Sequence, residues 1–353
     1  MSAILEGLVS GNDILTQNGY IGIEELKEKD TLLSCCGFGN VIPTKIRSLK
    51  KEKYSGPIVE INIEGRKKIK VLPKQVCFSK FDTSGTNYFI TLIKREDIGW
   101  RIGQETDIRG LNKHHINYED KHFILDICHD ETEANFMQHI YSYKYGIPMT
   151  DFEAKNDKFN FPQELLDRIF NIIPTDERAF QVLEDLNMYK DYPYFIAPNK
   201  QFGTRLLTLI MFGNKELEED DKWHPHRIFV NIDHNKINFG KTSLLDPANK
   251  SAWNINTTRN DYDEIVNFAN VLASFEDLEI IMRSQLTTST PFFFFPASHI
   301  RRTMQMAVYN RKEKVLKEKY VEKVQIKEFS GDIYNIEVEN LRNCIINDIA
   351  IYT

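Results

Sequence analysis

The residues able to do chemistry are easily named here, and their spacing gathers few of them into a centre. Cys35, Cys36, Cys77, Cys128 and Cys344 contain no Cys-x-x-Cys pair and are odd in number. That pattern argues against both a zinc ribbon and a disulfide framework, so ordinary thiols in a reducing compartment are expected. Cys77 is the thiol best placed for a nucleophile, with structural burial the plainer expectation. His224 and His226 flank Pro225, and a His-x-His on a strand can turn both imidazoles to one side, as a metal site needs. No third ligand is evident; His122, His129 and His234 are only guesses, and an exposed loop before a strand is the plainer reading. His114-His115 is a loop pair without a partner. No metal and no cofactor are expected.

The bulk composition narrows the classes. A chain of 353 residues exceeds one typical core, so two or three domains are expected. The net charge is −6; residues 81–310 are about ten units acidic and the two ends together roughly four units basic. A nucleic-acid-binding insert should lean the other way, because phosphate neutralisation supplies most non-specific affinity. Met1–Gly7 has no basic region followed by an apolar stretch, so a secretory signal is not expected. Phe292–Phe295 is too short to span a bilayer and lies between Pro291 and Pro296, so it reads as a buried turn or core strand. A cytoplasmic protein is expected, or a virion component if phage-encoded, with no membrane partner.

Stepping along the chain, the first eighty residues read as short strands and turns. Asp13–Thr16 precedes an Asn18-Gly19 turn, the strongest short hairpin signal. Tyr20–Ile23, Thr31–Ser34 and Val41–Ser48 follow, and Ile58–Ile63 alternates as a half-buried strand does. The centre is mixed. Tyr88–Ile93 and Trp100–Gly103 look like paired strands; Glu131–Tyr145 is a helix stopped by Gly146 and Pro148. Further helices are predicted over Pro162–Ile173, Asp176–Leu186 and Asp261–Ser274, with strands at Leu206–Phe212 and Arg227–Ile232. Strands return at Lys319–Glu328, at Ile333–Val338 beyond Gly331, and at Cys344–Ile351. No short internal repeat is visible.

Residues "LVSGNDILTQNGYIGIEELKEKDTLLS" resemble the N-terminal splicing region of inteins, members of the Hint (Hedgehog–intein) family. "GDIYNIEVENLRNCIINDIAIYT" resembles the C-terminal splicing region, and "VLPKQVCFS" stands where inteins carry a Thr-x-x-His block. The central segments "YFITLIKREDIGWRIG", "ETEANFMQHIYSYKYGIP", "RLLTLIMFG", "WHPHRIFVN" and "FPASHIR" are similar to the insert of inteins from repair-type DNA helicases. The resemblance implies a β-rich Hint-like domain split between the chain ends, residues 1–80 and 311–353. An α+β insert, 81–310, would lie between them, with 81–150 and 151–310 as candidate subdomains.

Splicing chemistry would be missing from such a domain. The resemblance puts Leu8 where a Cys or Ser must attack its own preceding carbonyl, and leucine has no nucleophilic atom. Ser10 cannot serve a neighbour's bond through so small a ring. Leu72 and Gln75 replace the activating Thr and His, and Gln75 donates hydrogen bonds but is no acid at neutral pH. Tyr352 and Thr353 replace the terminal His and the cyclising Asn. A weaker likeness, to a GIY-YIG nuclease core, rests on Tyr88, Arg101-Ile102-Gly103 and Arg109. It places Gln138 where a metal-binding glutamate should be, and a neutral amide is a poor divalent-cation ligand.

The function expected is therefore non-enzymatic: a free-standing, intein-derived protein that has lost splicing and serves a binding or structural role, with an unidentified protein or larger assembly as partner. Met1, only seven residues before the first motif, fits independent expression. Two alternatives stand beside it: a structural component of a phage or virus particle, and a DNA-binding, homing-endonuclease-like protein.

Overall fold

The alternating runs Ile58–Ile63 and Ile333–Val338 turn out to be the ends of much longer strands. In the computed structural model, Asn40–Ile63 and Val315–Val338 are each 24 residues long. They pair antiparallel from Ile46 opposite Val338 to Ile63 opposite Val321. The structure describes residues 6–82, 87–106, 121–154, 161–196, 205–219, 221–232, 253–276 and 278–353.

The strand break expected at Gly331 is absent for a packing reason, which Gly56 shares. Ser55 faces Ser330, Gly56 faces Phe329 and Tyr54 faces Gly331. Each aromatic ring lies over the glycine two residues on in its own strand, where a Cβ would meet Tyr54 Oη at 2.9 Å or Phe329 Cζ at 2.6 Å. The segments Tyr54-Ser55-Gly56-Pro57-Ile58 and Phe329-Ser330-Gly331-Asp332-Ile333 therefore form an internal repeat, related by a local two-fold at the serine pair. This corrects the expectation that no repeat is present. Alternation continues past it on both strands, burying Ile58, Val59, Ile61 and Ile63 on one and Ile333, Tyr334, Ile336 and Val338 on the other.

Contacts divide the chain into Met1–Lys80 with Gly203–Thr353, and Phe81–Phe202. The sequence expectation of a single insert over 81–310 differs from this division. Residues 203–310 belong with the chain ends because the sheet is continuous there: Phe292–Pro296 pairs with Val76–Lys80, from Phe293 opposite Ser79 to Pro296 opposite Val76. Loop bonds add to this, with Gly39 N–H donating to Leu286 O at 2.7 Å and His224 N–H to Cys36 O at 3.0 Å.

The larger unit is β-rich, with a 16-stranded sheet. Its outer part runs Trp253–Arg259, His226–Ile232, Arg205–Met211, Leu278–Ser284, Phe292–Pro296 and Val76–Lys80. Arg205–Met211 and Leu278–Ser284 are parallel, a connection that requires a crossover, and helix Tyr262–Glu276 lies in it. One apolar cluster joins Leu15, Cys35, Phe78, Leu207, Ile228, Ile265, Phe292 and Ile345. The run Cys344–Ile351, expected as one strand, is a hairpin of Asn343–Ile346 and Ile349–Tyr352. It turns at Asn347 and Asp348, whose φ values of 48° and 72° suit a two-residue turn.

Asparagines bind the two ends of the chain together. Asn12 Nδ2 donates to Val9 O at 2.8 Å and Lys70 O at 2.7 Å. Asn347 Nδ2 donates to Asn12 Oδ1 at 2.8 Å and Lys68 O at 2.9 Å, and its Oδ1 accepts from Asp13 N–H at 2.7 Å. Both are buried, so each bond replaces one that water would otherwise make.

The second unit has a four-stranded antiparallel sheet, ordered Phe195–Ile196, Lys121–Cys128, Tyr88–Arg95 and Gly99–Glu105. Helices Glu131–Tyr145, Gln163–Ile172 and Thr175–Asp185 accompany it. The first starts where Asp130 caps the Glu133 N–H at 2.8 Å and stops at left-handed Gly146. Among the described residues, no helix is long and apolar enough to cross a membrane.

Candidate functional site

The turn between Ile69–Val71 and Val76–Lys80 brings together four of the five positions that the resemblance singles out. Leu8 pairs with Val71 and with Tyr334, which sets the Gly7–Leu8 peptide beside the turn. Leu72 N–H donates to the Gly7 carbonyl at 3.0 Å, and Gln75 N–H donates to Leu72 O at 3.0 Å. The Gln75 side chain then reaches the other end of the chain, its Nε2 donating to Tyr352 O at 2.8 Å and to Val76 O at 3.2 Å. Ile351 pairs with Cys77. Thr353 follows, its N–H donating to Arg342 O at 3.0 Å.

The site is dry. Leu8 and Leu72 are 2% and 1% exposed and Gln75 is 5% exposed; Leu72 packs with Val9, Ile58 and Ile333 beneath Tyr54 and Phe329. Burial pushes the Cys77 thiol well above its usual range, so it stays protonated and a poor nucleophile at neutral pH. Burial likewise raises Tyr352. Glu6 is raised by burial, with Lys74 opposing. The arrangement can grip a carbonyl through the Leu72 N–H, but position 8 offers no atom to attack it, and Gln75 no proton to give the leaving nitrogen.

Sequence reasoning did not single out His299. It closes the short turn Ala297–His299, whose Ala297 and Ser298 N–H groups donate to Gln75 O at 2.8 Å and Pro73 O at 3.1 Å. The imidazole is buried. Its segment, "FPASHIR", carries no spacing signal that would mark a site; only the fold brings it to the Pro73–Gln75 turn.

The other candidates fall apart into structural roles. Tyr88 opens the strand Tyr88–Arg95 opposite Cys128. Gln138 Nε2 donates to Ile102 O at 3.3 Å, satisfying a strand carbonyl, and Arg109 lies outside the described residues. His224 Nδ1 bonds Asn214 O at 3.0 Å with its ring 4.5 Å from Phe38. His226 accepts the Phe212 N–H on Nδ1 at 3.0 Å, between the rings of Phe212 and Tyr262. His224 is therefore buried, against the exposed loop expected for it, because it fills space under Gly37 and Phe38. Burial pushes His226 down to about 3, with Asp261 opposing weakly. His234, His114 and His115 lie outside the described residues. Among the described residues no group of three His, Cys, Asp or Glu side chains could hold a metal. The described cysteines, all five, are buried thiols outside any disulfide.

A second polar cluster went unforeseen. Lys80, on a core strand, directs its ammonium to Ser289 Oγ at 2.5 Å and Glu318 Oε1 at 3.2 Å, 4.7 Å from the Phe292 ring centroid. Burial works to raise Glu318, but hydrogen bonds from Ser289 and Thr287 and the Lys80 charge hold it down, to about 2. The strongly lowered carboxylate pKa marks a locked ion pair rather than a proton donor.

The chain matches no protein-family model and no curated protein.

Proposed function

We propose that this chain is a Hint-like scaffold that has lost protein-splicing chemistry and works by binding or as a structural part. The observation that carries the reading is the hydrogen bond from the Leu72 N–H to the Gly7 carbonyl. A backbone donor aimed at the carbonyl preceding position 8 is the electrostatic half of an acyl-shift site, while leucine at position 8 removes the nucleophilic half. Gln75 bonded to Tyr352 O supports it, because it joins the activating block to the far end of the chain. The local two-fold of Tyr54–Ile58 and Phe329–Ile333 supports it further, since it pairs a strand of the amino-terminal segment with one of the carboxy-terminal segment.

The DNA-binding alternative gains little from the surface. Three of the four cations in the basic run Arg66–Lys70 are paired: Lys67 with Asp13 at 2.8 Å, Lys68 with Glu60 at 2.9 Å and Arg66 with Asp348 at 3.7 Å. Reporter proteins fused at both ends and examined by intact-mass spectrometry test the principal reading. The fusion is expected to stay whole; a ligated or cleaved product would show that chemistry survives.

A further inference from the structure

Helix Glu131–Tyr145 is amphipathic in an unusual sense, because it exposes apolar side chains on the side away from its sheet. Ala134 and Ser142 are buried and Gln138 bonds the Ile102 carbonyl. On another side Phe136, Ile140 and Tyr143 are 62%, 41% and 74% exposed. Their spacing of four and three residues stacks them into one stripe. A single exposed phenylalanine is ordinary; three large apolar residues in line on one helix mark a contact surface. Aromatic anchors also lose little entropy on docking, which suits Phe136 and Tyr143 to that use.

Charge decides the occupant. Residues 81–202 hold 13 Lys and Arg against 21 Asp and Glu, a net of −8, and the rest of the chain carries the difference from −6, which is +2. The helix itself opens with Glu131 and Glu133. Its one lysine, Lys144, is drawn to Tyr145 Oη at 2.7 Å and Asp185 at 3.4 Å. A second copy would bring the same negative charge against itself, whereas a cationic partner is steered in and held. We propose that the Phe136–Ile140–Tyr143 stripe receives a cationic amphipathic helix of a partner protein, laid apolar face to apolar face. The stripe lies in the unit that the lost-splicing reading does not use, and the inference stands independently of it.

The test uses the whole chain and two labelled 18-residue amphipathic peptides, one of leucine and lysine, the other with glutamate at every lysine position. Fluorescence anisotropy should show binding of the lysine peptide, weakened at high salt, and none of the glutamate peptide at the same concentrations. The Phe136→Ser/Tyr143→Ser variant should weaken it at least tenfold, with an unchanged circular dichroism spectrum. Leu217→Ser, at an exposed leucine of the other unit, should leave it as it was. Equal binding of both peptides, or lysine-peptide binding indifferent to the double variant, would overturn the proposal. So would sedimentation showing copies of the chain associating through this stripe.

Discussion

His226 is held neutral inside the larger unit, and its acid response has a defined sign. Its folded pKa, about 3, lies below the unfolded value of about 6.5. The contribution to stability is full above about pH 6.5 and is lost as pH falls toward 3, in total on the order of 4 kcal/mol. Glu318, lowered to about 2, acts in the same direction but only below its unfolded value of about 4.3. Protonation of His226 on unfolding therefore contributes destabilisation that begins between about pH 6.5 and 5, above the range in which Glu318 acts. Chemical denaturation as a function of pH should show a smaller loss over that range in His226→Asn than in the wild type, the variant's amide oxygen still accepting the Phe212 N–H. Lys80→Met should cost about 1 to 3 kcal/mol, because the half-buried Glu318 carboxylate loses its counter-charge while keeping the Ser289 and Thr287 hydroxyls; Lys80→Met combined with Glu318→Gln should recover a good part of it. At this scale the motifs named Leu8, Leu72, Gln75 and Tyr352, and the fold brings these four together at one turn. Asn12, Asn347, Lys80 and Glu318 were not readable, since each meets partners dozens to hundreds of residues away that no local pattern encodes.

Two glycines govern the long ribbon. In sequence Gly331 looks like a strand break, because glycine is a poor strand former; in the fold it and Gly56 make room for Phe329 and Tyr54, and the strands run on. Gly331→Ala should force the Phe329 ring out of its place and cost about 1 to 3 kcal/mol in urea denaturation, while Ser330→Ala beside it should cost far less. The opposite misreading occurred at Asn347-Asp348. That turn was hidden inside an apolar run because its polar residues are buried and fully used, Asn347 by Asn12, Asp13 and Lys68, and Asp348 by Tyr20 and Arg311. Helix Glu131–Tyr145 was legible from end to end, because cap, periodicity and stop signal are all local.

At the scale of the molecule, residues 81–202 cluster on their own and 203–310 join the ends. Expressed alone, residues 81–202 should fold with their own cooperative thermal transition, as a unit with its own sheet and helices would. The β-rich character was evident from strand periodicity, but the division was not: the parallel pairing of Arg205–Met211 with Leu278–Ser284, and the antiparallel pairing of Phe292–Pro296 with Val76–Lys80, are long-range information. The central claim concerns the site where the chain ends meet, and it is tested by giving the missing chemistry back. A chain fused behind a reporter and carrying Leu8→Cys, Leu72→Thr and Gln75→His should undergo thiol-induced cleavage between residues 7 and 8, seen as released reporter of the corresponding mass, while the wild-type fusion stays intact. A restored variant that keeps its circular dichroism spectrum and melting temperature yet releases nothing would contradict the account.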